Sequence, residues 1–150
     1  MLDRTPIGYD SHRMPVGHDR FRVLGSAGAL RSTANDLLIF LEVALGYRKT
    51  TLMPAMNAML NTRRPGGTPP SPRVLEGSTQ IALAWNIYTD GPREIVWKNG
   101  SVAGFRAFLG YDAKARIGVV ALINAQTVDG VDDIGLHLLD PSIGQYNHPP

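Results

Sequence analysis

The sequence predicts a layered α/β fold, an antiparallel sheet flanked by helices, because its hydrophobic period changes along the 150 residues. Apolar residues recur at helical spacing over residues 31–46 and 50–61. From residue 81 the period falls to two or less in four runs separated by turn residues. A helical pattern returns over residues 129–140, so the order is helices, strands, then a helix on the sheet.

Each element has local causes. Residues 1–25 are polar and irregular, punctuated by Pro6, Gly8, Pro15 and Gly17, and read as loop with one short strand at most. In RSTANDLLIFLEVALG, Ser32 or Thr33 can cap a helix, and Asp36 suits the exposed amide dipoles of its first turn. Leu37, Leu38, Leu41, Ala44 and Leu45 fall on one side. Ile39, Phe40 and Val43 widen the stripe, which predicts cover on more than one face, and Gly46 ends the helix. TTLMPAMNAMLN reads as a second helix with Pro54 in its first turn and Met53, Met56, Met59 and Leu60 on its apolar side. Residues 62–73, TRRPGGTPPSPR, form a connector in which proline and glycine forbid regular ladders. The chain thus divides into residues 1–61, a loop and helical segment, the connector 62–73, and residues 74–150, the strands and closing helix.

The four strand runs are IALAWNIY, EIVWK, AGFRAFLGY and RIGVVALIN. Turns at 90–92 and 112–114 join the first pair and the last pair. Ile117 to Ile123 is apolar on both faces, which predicts a central strand under helices. In the closing helix Val131, Ile134 or Gly135, and Leu138 with Leu139 are expected to turn inward, and the tail QYNHPP to be loose.

Composition narrows the function classes. With 43% hydrophobic residues the chain can build a core and is not of disordered type. The absence of cysteine excludes a disulfide framework and thiolate chemistry. A net charge of +2, with only Arg63, Arg64 and Arg73 near one another, lacks the clustered basic surface of a nucleic-acid binder. No run is apolar over the roughly 18 residues of a transmembrane helix.

Chemistry concentrates in WKNGSVAGF, residues 97–105. Lys98 brings a compact cation to a strand. Gly100 has no side chain, so a ligand backbone can approach closely. The Ser101 N–H can point at an incoming carbonyl oxygen, and Asn99 can donate and accept hydrogen bonds. Lys98 can also attract a substrate carboxylate and favour a deprotonated hydroxyl nearby.

WKNGSVAGFRAFLGYDAKARIGVVALIN resembles the third-motif strand of serine β-lactamases and penicillin-recognising peptidases, particularly class C. Lys98, Asn99, Gly100 and Ser101 stand where that family has Lys-Thr-Gly and a small residue, with Gly104 and Phe105 in register. Upstream, Ala27, Gly28, Leu30, Ser32, Thr33, Asp36 and Leu37 are similar to the family's helix opening. The resemblance covers most of residues 20–140 and is read as the carboxyl-terminal part only, hence an incomplete β-lactamase/transpeptidase-like sheet. It implies acyl transfer or hydrolysis on a β-lactam, a D-Ala-D-Ala peptide or an ester through an acyl-enzyme. It implies catalytic roles for Lys98 and Ser101, substrate-binding roles for Asn99 and Gly100, and no cofactor or metal. Asn99 departs from the usual threonine. The resemblance also implies a periplasmic or extracellular location.

The family's Ser-x-x-Lys and Tyr-x-Asn motifs do not occur in these 150 residues. Covalent catalysis needs a nucleophile and base within hydrogen-bond reach. The chain is therefore expected to be inactive alone, with a non-catalytic peptide or cell-wall-fragment binder, or an adaptor, as alternatives. Open strand edges and a missing helix layer would favour a homodimer or a separate amino-terminal partner chain.

Overall fold

The computed structural model describes residues 5–19, 21, 23, 25–66, 77–126 and 131–143. In chain order its elements are β1 (Gly8–Tyr9), β2 (Pro15–Val16), α1 (Gly25–Gly28), α2 (Ala34–Ala44), α3 (Met53–Asn61), β3 (Arg64–Pro65), β4 (Ser78–Ile81), β5 (Asn86–Asp90), β6 (Arg93–Val102), β7 (Phe105–Asp112), β8 (Ile117–Ile123) and α4 (Asp132–Leu139). Six strands form one antiparallel sheet in the order β3-β4-β5-β6-β7-β8, and β1-β2 form a separate ribbon. Helices α2 and α3 cover one face and α4 the other. The expected tail at 145–150 and connector residues 67–73 lie outside the described residues, as do residues 129–130 of the expected closing helix.

Thr33, one of the two expected caps, starts α2. Its hydroxyl accepts the Asp36 N–H and donates to the Asp36 carboxylate at 2.9 Å. The helix ends at Gly46, at φ +78°. Gly46 N–H donates to Val43 O at 3.0 Å and Tyr47 N–H to Glu42 O at 2.7 Å, a Schellman ending. Burial between these ends is narrower than the apolar stripe suggests. Leu41 is 1% exposed, whereas Leu38, Ile39 and Phe40 are 43%, 44% and 38% exposed. The sheet meets α2 along one strip that includes Gly118, where a Cβ would sit 3.1 Å from Leu41 Cδ1. Helix α3 starts as expected, with Pro54 in its first turn, and Met59 and Leu60 pack beside Leu41.

Several strand readings change. The run 81–88 divides into β4 and β5 around a reversal at Leu83–Ala84. Ala82 N–H donates to Trp85 O at 2.9 Å, and Ala84 takes φ +67°. Neither residue carries a turn signal, so the break was not legible. Arg64 and Pro65 pair with Ile81 and Gln80 despite the expected ban on ladders. Pro65 is tolerated because β3 is an edge strand, where an N–H is not needed on the outer side. β8 is the last strand of the sheet rather than a central one. Its apolar faces reflect cover by α2 and α4, not strand neighbours on both sides. In α4, Gly135, Leu136 and Leu139 turn inward with Val131, while Ile134 and Leu138 are 46% and 57% exposed.

The reading of residues 1–25 as loop is corrected too. The β1-β2 ribbon docks at the end of β8. Tyr9 N–H donates to Asn124 O at 3.0 Å, Gln126 N–H donates to Tyr9 O at 2.7 Å, and the Asn124 amide donates to Ile7 O at 3.0 Å. These bonds are mostly backbone to backbone and leave no side-chain pattern to read. The expected incomplete, carboxyl-terminal sheet is therefore not what forms. An antiparallel sheet with flanking helices extends across nearly the whole chain, and neither face lacks a helix layer.

Alternation along the strands separates two buried clusters. Tyr88, Ile95, Trp97 and Phe108 join Leu136 and Leu139 on the α4 face. Trp85, Ile87, Val96 and Tyr111 join Leu41 on the α2 face.

Candidate functional site

Lys98, Asn99, Gly100 and Ser101 all lie inside β6, opposite Leu109, Phe108, Ala107 and Arg106 of β7. The strand runs through its predicted end at Lys98 as far as Val102, then reverses at Ala103–Gly104 with Gly104 at φ +74°. Its ladder to β5 stops at Trp97↔Asn86. Past that pair, among the described residues, β6 has a strand neighbour on one side only.

The strand period then sorts the side chains. Lys98 and Gly100 share the face of Val96, and Asn99 and Ser101 share the face of Trp97. Lys98, Gly100 and Ser101 are exposed, and Asn99 is half-buried. Among the described residues, a Cβ built on Gly100 would meet nothing within 4 Å beyond its own chain neighbours. The stretch therefore sets a cation beside a bare backbone position, with the Ser101 amide one residue further on.

The opposite face carries a polar cluster. Asn99 Nδ2 donates a hydrogen bond to Asp132 in the first turn of α4. Arg106 faces Ser101 across the ladder, and its buried Nε has no hydrogen-bond partner among the described residues. The Asn99 amide is thus turned away from Lys98 and held by a carboxylate.

Burial pushes the Asp132 carboxyl above the usual carboxylate range; the Asn99 hydrogen bond and the Arg106 charge oppose the rise, and Asp133 adds to it. A carboxyl raised in this way binds its proton more tightly when folded. Its stabilising contribution is complete below the unfolded pKa, about 3.9, and is lost as pH rises through the folded value. Asp132→Asn keeps an acceptor for Asn99 and removes the buried charge. Its stability relative to the parent protein is expected to increase from about pH 4 to about pH 7. Urea unfolding at both pH values measures this, and a constant difference would mean that Asp132 titrates as an ordinary surface carboxyl.

Four neighbours of the site carried no functional reading in the sequence. Asp132 was visible only as an acidic residue opening the closing helix, and Arg106 only as a strand residue. Asp19 Oδ2 accepts the Ala103 N–H at 2.8 Å across 84 residues of chain. His18 stacks on Phe105 with ring centroids 5.9 Å apart. No local signal announces either contact.

The described serines make few side-chain hydrogen bonds. The Ser32 hydroxyl donates to Thr33 O at 3.4 Å and the Ser142 hydroxyl to Asp140 at 2.7 Å. Ser71 lies outside the described residues. Two surface clefts stand apart from β6 residues 98–101. One, of about 340 Å³, is lined by residues that include Leu60, Glu94, Tyr111 and Lys114, and the other by Glu42, Tyr47 and Arg48. In the first, burial pushes the Tyr111 hydroxyl up to about 12, helped by Glu94 and opposed by Arg63. Arg63 itself is held by both oxygens of Glu94. Among the described residues no group of three His, Cys, Asp or Glu is placed to hold a metal ion. No described helix is long and apolar enough to cross a membrane.

A family model described as Beta-lactamase matches residues 3–140. The match begins within the amino-terminal segment, so the restriction of the resemblance to a carboxyl-terminal part is overturned. That restriction arose because the sequence carries neither Ser-x-x-Lys nor Tyr-x-Asn, which the resemblance places upstream of the segments that match. No curated protein and no solved structure gives a significant match.

Proposed function

We propose, from the premise that the chain belongs to the Beta-lactamase family, that it binds a carboxylate-bearing acyl compound across β6 at Lys98–Ser101. Membership supports a hydrolase-type function in general. The finer reading is a β-lactam, a D-Ala-D-Ala-type peptide or an ester as ligand. The observation that carries it is the exposed pair Lys98 and Gly100, side by side on one face where the β5 ladder has ended.

Each residue has a defined task in this reading. Lys98 attracts the ligand carboxylate. Gly100 lets the acyl group lie against the backbone, since among the described residues beyond its chain neighbours no atom stands within 4 Å of where a Cβ would be. The Ser101 N–H donates to the acyl oxygen, an interaction worth about 2.7–4 kcal/mol where charge develops on that oxygen. Asn99 acts from the other face by holding the strand. With no Ser-x-x-Lys and no Tyr-x-Asn in the sequence, the chain by itself binds without being acylated. That absence also favours a second reading, a non-catalytic binder of peptide or cell-wall fragments at the same strand.

Titration of the isotope-labelled chain with benzylpenicillin tests the proposal. Amide shifts are expected at Lys98, Gly100 and Ser101, with no mass adduct. Lys98→Ala should weaken binding by about ten-fold, the scale of one hydrogen bond to a charged group, with unfolding free energy unchanged. Unshifted Gly100 and Ser101 amides at saturation would remove the site. A stoichiometric adduct by intact-protein mass spectrometry would replace simple binding with acylation.

A further inference from the structure

The stretch of β6 that carries Lys98, Gly100 and Ser101 is poorly supported by the sheet. Its β5 partner ends at Asn86. From Lys98 to Val102 the described residues give it only β7, and the chain reverses immediately afterwards. A two-stranded ribbon is marginal on its own in water. Something outside the ladder must keep this end of the hairpin in place.

Two carboxylates reach it from distant parts of the chain. Asp132, in the first turn of α4, accepts the Asn99 side-chain N–H on one face. Asp19, beyond β2, accepts the Ala103 backbone N–H at the tip at 2.8 Å. The segment bearing Asp19 fits closely against the same tip. His18 stacks on Phe105, and a Cβ on Gly104 would lie 2.6 Å from Val16 Cγ2 and 2.7 Å from Gly8 Cα. The two carboxylates therefore bracket the site, one at residue 99 and one at residue 103.

We infer that Asp132 and Asp19 are positioning residues that clamp the one-sided stretch of β6 between Asn99 and Ala103. They hold Gly100 and Ser101 in line with Lys98 and do not touch the ligand. The functional consequence rests on the acyl-site reading above, whereas the clamp itself rests on the two hydrogen bonds. It joins the amino-terminal segment and the last helix to the same few residues.

Amide hydrogen exchange on the full chain tests the clamp without requiring activity. Asp132→Ala and Asp19→Ala are each expected to speed exchange of the Gly100, Val102 and Ala103 amides by about ten-fold, with β7–β8 pairs distant from the tip unchanged. Asp132→Asn and Asp19→Asn should recover most of the protection, because an amide oxygen can accept the same hydrogen bonds. Benzylpenicillin affinity should fall in the alanine variants and return in the asparagine ones. If Asp132→Ala does not fold, Asn99→Ala removes the same bond from its donor side. Unchanged exchange in the alanine variants overturns the clamp, as does faster exchange that asparagine fails to restore. Faster, rescued exchange in a protein that never binds penicillin supports the clamp and overturns the acyl site.

Discussion

Gly135→Ala is expected to destabilise the protein by about 2 kcal/mol, although alanine is the better helix former. Two effects oppose each other. In a helix interior, alanine gains roughly 1 kcal/mol over glycine. Against that, a Cβ at residue 135 would lie 2.2 Å from Cδ1 and 2.4 Å from Cε1 of Phe108. Phe108 is fully buried, stacks on Trp97 at 6.0 Å, and has little room to yield. Overpacking a tight contact costs about 1–3 kcal/mol and more when the neighbour is fixed, so the clash outweighs the propensity. Chemical denaturation measures the loss. Adding Phe108→Leu to Gly135→Ala should recover part of it by removing the ring atoms that the new methyl meets. A variant about 1 kcal/mol more stable than the parent, as propensity alone predicts, would show that α4 does not approach β7 this closely. The effect also reaches the site, because displacing α4 moves Asp132 away from Asn99.

Arg93→Ala is expected to cost about 2 kcal/mol and to alter the acid limb of stability. Arg93 opens β6 and pairs with Asp140 just past α4. Its Nε also lies 3.9 Å from Asp112 at the end of β7. Both aspartates are 2% exposed. Leaving a buried charge without its partner typically costs roughly 3–5 kcal/mol. Because the Arg93 side chain is 43% exposed, solvent screens the pair and the cost falls below that range. Burial pushes the Asp140 carboxyl up, but hydrogen bonds from Arg93 and Ser142 outweigh it and hold the carboxyl below its usual range. A depressed pKa contributes stability above the unfolded value, near 3.9, and that contribution is lost as pH falls through the folded value. The parent should therefore lose stability in that acid window, and Arg93→Ala should lose less there from a lower starting point. Equal pH profiles for the two proteins would remove Arg93 from this role.

Both substitutions act on the attachment of α4 to the strand pair that bears the candidate site. The helix is tied at its start by Asp132 to Asn99, in its middle by Gly135 to Phe108, and after its end by Asp140 to Arg93. Damage at the middle or the end should loosen the start. Exchange at the Gly100 and Val102 amides would therefore rise in Gly135→Ala even under conditions where the chain stays folded.

The amino-acid sequence by itself determined what depends on neighbours a few residues apart. Thr33 with Asp36 and Gly46 with Tyr47 set the ends of α2 through bonds that span at most five residues. Apolar runs of strand length marked β7 and β8, and Lys98 stood at the end of another such run before any partner strand was known. Only the tertiary structure decided how far β6 continues, which of its faces each site residue takes, that β8 ends the sheet, and that Leu38, Ile39 and Phe40 stay exposed. It alone brought Asp19 to Ala103 and Asp132 to Asn99. The reason is physical: a cap is satisfied within its own segment and a strand's side-chain period is written along it, whereas those two contacts form only when the whole sheet and its last helix have closed around them.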